Sequence, residues 1–289
     1  MTAEVPARAV PGTPMAGRPN PGRPNPGGQG PGAERRRDGS RSSLVADVLM
    51  EVIAARAAVT GQPSLDIVDV GAGTGGFAVS LASAGHRVTV VDPSPDALAA
   101  ARWRAAEAGV SLTDVQGEAA DLPSLVGAAS ADLVICHNVL EYVDSPADAL
   151  AAVATVLRPG GTVSVLAANT VAAVLQRALA GRYAEARALL PSTGLPDGGP
   201  HGAEERHEER VTPSAAVARR FTLPELTALI GGAGLRAGDA HGIRIFSGLL
   251  PGAGADLTTV DALRELEEAA ATCPPLRDIA TRLHILGHR

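Results

Sequence analysis

Asp69-Val70-Gly71-Ala72-Gly73-Thr74-Gly75-Gly76, entered from the apolar pair Ile67-Val68, is the stretch that decides the fold. It reads as a buried strand running into a glycine-rich turn that opens a helix. Glycines accept the turn's unusual backbone angles and leave no side chain in the way. Backbone N–H groups and a helix N-terminus can then approach a nucleotide-like ligand closely.

Two ligand classes compete for that loop. Gly71, Gly73 and Gly76 satisfy G-x-G-x-x-G, and Asp92 ends the next strand about twenty residues on, where a ribose-binding carboxylate belongs in dinucleotide-binding proteins. Asp69 shifts the balance. Its negative charge at the strand end repels a pyrophosphate and attracts the cationic amino-acid end of S-adenosylmethionine.

A second segment agrees. Ala131 to Cys136 has the pattern of a buried strand. It is followed by His137-Asn138-Val139-Leu140-Glu141-Tyr142, an apolar helix from Pro146, and Leu157-Arg158-Pro159-Gly160-Gly161 turning into a strand from Thr162 to Leu166. This order resembles the class I S-adenosylmethionine-dependent methyltransferases over roughly residues 42 to 170. The resemblance implies a Rossmann-like α/β fold: a doubly wound, mainly parallel seven-stranded sheet with an antiparallel C-terminal edge. Strands are predicted near 65–70, 87–92, 111–116, 131–136, 161–167, 235–246 and 281–287. Helices are predicted near 43–58, 75–84, 95–108, 146–157, 170–190, 223–233 and 259–271.

The 289 residues are 45% hydrophobic, ample for a core. Residues 1–40 stand apart, because Pro11 to Gly32 is rich in Pro, Gly and Arg and has no apolar face, so a disordered tail is expected there. Residues 41–289 form the methyltransferase domain, with a mobile loop at about 191–213. No secretory signal or membrane-spanning run is apparent. The two cysteines, Cys136 and Cys273, suit a reducing compartment, so a cytoplasmic location is expected. Residues 1–41 carry a net charge of +4 against −6 for the whole chain, which leaves about −10 on the remainder. Lysine is absent, so an arginine or a protonated histidine must supply any cation.

The later sequence resembles the tRNA 5-carboxymethoxyuridine methyltransferase family more narrowly. The matching stretches, besides His137 to Tyr142, are Ala180-Gly181-Arg182-Tyr183, Ala233-Gly234-Leu235, His241-Gly242-Ile243-Arg244-Ile245-Phe246, Leu263 to Glu267 and Arg282-Leu283-His284-Ile285. That resemblance implies methylation of a carboxylate on a wobble uridine, with Arg41 facing the methionine carboxylate of the cofactor. The loop from His201 to Arg210 departs from it. The loop is net acidic, whereas nucleic-acid affinity rests on neutralised phosphates.

The cofactor set is therefore Arg41, Asp69, Gly71, Ala72, Gly73, Gly75, Asp92, Pro93, Glu118, Ala119 and His137. Asp92 is placed to hold the ribose hydroxyls. Glu118 and Ala119, after the third strand, stand where the superfamily recognises adenine. His137, just past the fourth strand, has three readings: a cofactor contact, a general base, or a neutral imidazole packed in place. Tyr142, Arg182, Tyr183 and Arg244 are the substrate-side candidates, with His137 and Arg244 the catalytic ones. His201, Glu204, Glu205, His207 and Glu208 read as a solvated charged segment, and no metal site is expected. Three functions remain open: methyl transfer to tRNA, methyl transfer to a small molecule, and cofactor binding without catalysis.

Overall fold

The computed structural model describes the backbone of residues 31–190, 219–249 and 257–289, and the side chains within 44–190, 219–249 and 260–289. The chain divides into two units, residues 1–37 and 38–289, and the sheet belongs to the second. The expected tail up to residue 30 and the loop at 191–213 lie outside the described residues.

Among the described residues seven strands form one sheet: β1 (Asp66–Val70), β2 (Arg87–Asp92), β3 (Thr113–Gln116), β4 (Ala131–His137), β5 (Leu157–Ala168), β6 (Arg236–Ile243) and β7 (Arg282–His288). Their order is β3-β2-β1-β4-β5-β7-β6. The first five in that order pair in parallel, and β7 is antiparallel to both β5 and β6. This is the doubly wound architecture expected from the sequence, with the antiparallel strand one place in from the edge.

The helices are α1 (Pro31–Thr60), α2 (Gly76–Ser83), α3 (Pro95–Glu107), α4 (Leu122–Val126), α5 (Pro146–Val156), α6 (Thr170–Leu179), α7 (Tyr183–Ala188), α8 (Leu223–Gly232), α9 (Phe246–Leu249), α10 (Leu257–Ala270) and α11 (Pro274–Arg277). Local chemistry sets their starts. Ser94 and Ser145 accept the N–H groups of Ala97 and Asp148, each with proline at the first helical position. Thr222 and Glu225 form a capping box on α8. One apolar layer joins α5 and α8 to the sheet, through residues such as Leu150, Val153, Leu226 and Ile230. The layer on the other face is made by Val45, Leu49 and Ile53 of α1 with Leu81 of α2 and Leu98 of α3. Each large aliphatic side chain so buried contributes about 1.5–3 kcal/mol.

Three elements depart most from what the sequence predicts, besides β5, which starts at Leu157 rather than near residue 161. α1 starts at Pro31 rather than near residue 43, so Arg41 lies within the helix and not ahead of it. Proline loses nothing at a first helical position, and Ala33 to Arg37 are good helix formers. The single helix expected over 170–190 is split, because Gly181 takes φ +75 and ends α6. The strand expected to reach Phe246 stops at Ile243. Beyond it Arg244 adopts φ +58, and the buried Glu267 carboxylate accepts the N–H groups of Ile245, Phe246 and Ser247 at 2.7, 3.0 and 2.8 Å, taking those donors from the strand ladder.

The end of the sheet away from the glycine loop is tied by Asp132, which is buried. Its Oδ1 accepts from Arg56 of α1 at 3.1 and 3.0 Å. Its Oδ2 accepts from Arg158 of β5 at 2.7 Å and from the N–H of Asp66 at 3.1 Å. Asp132→Ala leaves Arg56 without its buried counter-charge, while Arg158 keeps Asp66 at 2.8 Å, and is expected to lower the unfolding free energy by about 3–5 kcal/mol in urea denaturation. Arg87→Ala, which breaks the exposed pair with Asp66, is expected to change it by less than about 1 kcal/mol.

Candidate functional site

β1 lies between β2 and β4, so the chain switches direction across the sheet at its carboxyl end, where open α/β sheets form a crevice. The glycine loop sits there. Gly71, Gly73 and Gly75 take φ +63, +52 and +72, the left-handed region that favours glycine. A Cβ on Gly71 would meet Val139 Cγ2 at 2.6 Å, and one on Gly75 would meet Ala101 Cβ at 2.8 Å. A Cβ on Gly73 would meet nothing within 4 Å, so that side of the loop is open.

Two carboxylates sit at the tips of β1 and β2. Asp92 Oδ2 accepts the Gly73 N–H at 3.0 Å and Oδ1 accepts the Ser94 N–H at 2.9 Å, which fixes the carboxylate and leaves lone pairs on both oxygens. Asp69 is buried and pairs with no cation among the described residues. Burial first, and the neighbouring Asp92 charge second, push its carboxyl up to about 7.

Two cavities flank the loop and share Gly71. One, of about 320 Å³, is lined by Asp92, Pro93, Glu118, Ala119, Asn138 and Tyr142 among others. The other, of about 510 Å³, is lined by Asp69, Ala72, Phe77 and His137 together with Leu49 and Met50 of α1. His137 Nε2 lies 2.8 Å from Ser164 Oγ, and Phe77 meets the imidazole edge-on at 5.4 Å. Its Nδ1 is buried with no partner. Burial pushes the imidazole down to about 3, so the ring is neutral at working pH.

The structure thus gathers Asp69, Gly71, Ala72, Gly73, Gly75, Asp92, Pro93, Glu118, Ala119, His137 and Tyr142 at one edge. It does not bring Arg244, Arg182 or Tyr183 there. Arg244 lines a separate small crevice with Leu44, Arg264 and Glu267. Arg182 faces Glu185 at 3.4 Å, and Tyr183 is exposed at the start of α7. The side chain of Arg41 lies outside the described ones. Residues the sequence reading passed over include Asn138, held at φ +56 with a buried unpartnered Oδ1. Glu141 is another; its Oε1 accepts the Ala168 N–H at 2.8 Å and Arg282 at 3.1 Å. The signal for both was position, immediately after an apolar strand and beside His137.

Residues 68–165 match the methyltransferase domain family. That stretch, which holds the glycine loop, both acids and His137, is a methyltransferase domain of the class I S-adenosylmethionine-dependent superfamily. The ubiquinone biosynthesis O-methyltransferase of Burkholderia thailandensis is 39% identical to this methyltransferase domain over 101 residues, 35% of this chain and 43% of that protein. The protein of that name in Xanthomonas campestris pv. campestris is 33% identical over 160 residues, 53% of this chain and 63% of its own. The chain therefore spans between 43% and 63% of the length of these curated relatives. Magnesium protoporphyrin IX methyltransferase from Synechocystis, solved with bound S-adenosylhomocysteine, superposes with a TM-score of 0.54 over 91% of this chain and 89% of its own, at 16% identity. A likeness of that kind concerns the fold. The narrower resemblance to the wobble-uridine enzymes has no counterpart in these relatives.

S-adenosylmethionine is the cofactor of this methyltransferase domain, and the residues present suit it. Asp69 is a buried acid awaiting a cation, Asp92 offers lone pairs to a ribose, and the glycine turn leaves the approach clear. A bound ammonium favours ionised Asp69, so binding in the free protein expels a proton below about pH 7, and affinity falls as pH drops through that value. Titration calorimetry with S-adenosylhomocysteine is expected to show binding about tenfold weaker at pH 6 than at pH 8, a dependence that Asp69→Asn abolishes. Asp92→Ala is expected to weaken binding at both pH values.

Proposed function

We propose that this protein transfers a methyl group from S-adenosylmethionine to a hydroxyl of a small molecule, with His137 as the general base. The observation that carries this reading is the buried, unpartnered Nδ1 of a neutral His137 on the cavity shared with Asp69. A carboxylate acceptor is already an anion at neutral pH and needs no base. A hydroxyl must lose its proton as the oxygen–carbon bond forms, and an imidazole nitrogen with a free lone pair can take it. The name O-methyltransferase carried by the partial relatives supports an oxygen acceptor, and the acidic chain beyond residue 41 disfavours a polyphosphate.

The chain's own groups do the remaining work. The cofactor, when bound, supplies an electrophilic methyl on a positive sulfur. Asp69 and Asp92 hold its polar ends, while Leu49, Met50 and Phe77 give the cavity an apolar wall. Attack by a nucleophile disperses the sulfonium charge, so an apolar wall costs the transition state less than it costs the localised cation.

Purified protein with methyl-labelled cofactor, offered bulk tRNA, a metabolite extract and the phenol 3,4-dihydroxybenzoate in parallel, tests the acceptor class. Label is expected in the small-molecule fractions. Nuclease-sensitive label in tRNA alone would favour the wobble-carboxylate reading, and no transfer despite tight cofactor binding would favour a non-catalytic role. His137→Gln is expected to lower kcat on the labelled acceptor about a hundredfold while leaving S-adenosylhomocysteine affinity within about threefold.

A further inference from the structure

Four polar side chains cross the sheet in a line. His137 Nε2 lies 2.8 Å from Ser164 Oγ, Ser164 Oγ lies 2.8 Å from His284 Nε2, and His284 Nδ1 lies 3.2 Å from His241 Nδ1. They occupy the successive strands β4, β5, β7 and β6. Alternation along each strand puts them on the same face as Ile135, Leu166 and Ile243, which pack with Val45, Leu49 and Ile53 of α1. A polar line through an apolar layer needs every group satisfied, and this one is, except at its cavity end. There His137 Nδ1 has no partner. At the other end His241 keeps a rim of exposure and stands near Asp239 of its own strand, Glu51 of α1 and Arg277 of α11.

We infer that this line is a proton relay, which releases a proton at the outer edge of the sheet while the acceptor reacts and takes one back there after product has left. The inference rests on the reading of His137 as the base. Counting donors and acceptors gives the line two ordered states. In the first, His137 Nε2–H donates to Ser164, Ser164 donates to His284 Nε2, His284 Nδ1–H donates to His241 Nδ1, and His137 Nδ1 is a bare lone pair. In the second, every donor is reversed and His137 Nδ1 carries the proton.

Methyl transfer converts the first state into the second. As the acceptor oxygen bonds to the methyl carbon and the sulfur–carbon bond breaks, the hydroxyl proton passes to His137 Nδ1. The Nε2 proton of His137 moves to Ser164, the Ser164 proton moves to His284 Nε2, and the Nδ1 proton of His284 moves to His241 Nδ1. The Nε2 proton of His241 goes to water. The positive charge that began on sulfur leaves as that proton, and every ring ends neutral. Once product has left, His137 Nδ1 gives its proton to water in the open cavity while another enters at His241, restoring the first state.

Neutrality is what the relay secures. Burial pushes His137 down to about 3, and it holds His284 well below the ordinary histidine value, so neither ring retains an added proton. A relay needs neither to do so, because each ring releases one proton as it takes another. Ser164, His284 and His241 are positioning residues in this scheme, and His137 is the catalytic one.

The full chain, labelled with ¹⁵N-histidine and saturated with S-adenosylhomocysteine, tests the relay without any acceptor. Long-range ¹H–¹⁵N spectra between pH 6 and 8 are expected to show His137 and His284 as opposite tautomers, one Nε2–H and the other Nδ1–H, with no imidazolium at either. The same tautomer at both rings, or an imidazolium at either, would overturn the relay. The second arm uses the acceptor labelled in the transfer experiment. Ser164→Ala and His241→Asn are each expected to lower kcat about tenfold near pH 7 with KM and S-adenosylhomocysteine affinity within about twofold. The loss should shrink towards pH 9, and Ser164→Thr should restore the rate. Full activity in Ser164→Ala alongside a crippled His137→Gln would refute the relay and leave the base intact. Unimpaired His137→Gln would refute the base reading itself, and the relay with it.

Discussion

Two carboxylates held out of water at neighbouring strand tips, with no paired cation among the described residues, are the constraint around which the site is arranged. Asp92 is tolerable there because the N–H groups of Gly73 and Ser94 bind its two oxygens. Asp69 has no such help among the described residues, and burial together with the Asp92 charge raises its pKa. The glycine loop follows from the same need. Left-handed angles at three glycines turn the chain sharply enough to keep both acids facing the crevice, and Val139 closes against Gly71 where a methyl would not fit. A pyrophosphate would add negative charge to this pair, whereas a sulfonium amino acid removes the imbalance.

The rest of the sheet serves that edge in two ways. At its far end, Asp132 draws α1, β1 and β5 together through Arg56, the Asp66 N–H and Arg158, so that the strand tips opposite keep their spacing. Across its width, the placement of β7 between β5 and β6 is what brings His284 into line with Ser164 and His241. An edge formed in simple chain order would have put β6 against β5 and left His284 on the outside.

Much of the fold was legible because its strands announce themselves locally. Ile67-Val68, Val88 to Val91 and Leu133 to Cys136 are apolar runs bounded by turn residues, and strands buried on both faces have that pattern. The misjudged elements are those decided by distant groups or by a single backbone angle. β6 ends early because Glu267, about twenty residues on, takes the N–H groups of Ile245, Phe246 and Ser247. The helix from Thr170 breaks because one glycine in a helical-looking run adopts the left-handed region. Arg244, Arg182 and Tyr183 stood out as rare charged or aromatic residues, yet composition carries no information about which side of a sheet an element reaches.

By itself, the sequence determined the sheet's parallel half, the glycine turn and the two acids, because each depends on residues adjacent in the chain. Only the tertiary structure decided that Asp69 meets no cation among the described residues, that His137 is neutral with a buried, unpartnered nitrogen, and that three histidines and a serine share one face. Members of that line stand 27, 120 and 43 residues apart in successive contacts, so no local pattern records them. Burial and strand order set their chemistry, and both arise when the sheet closes under α1.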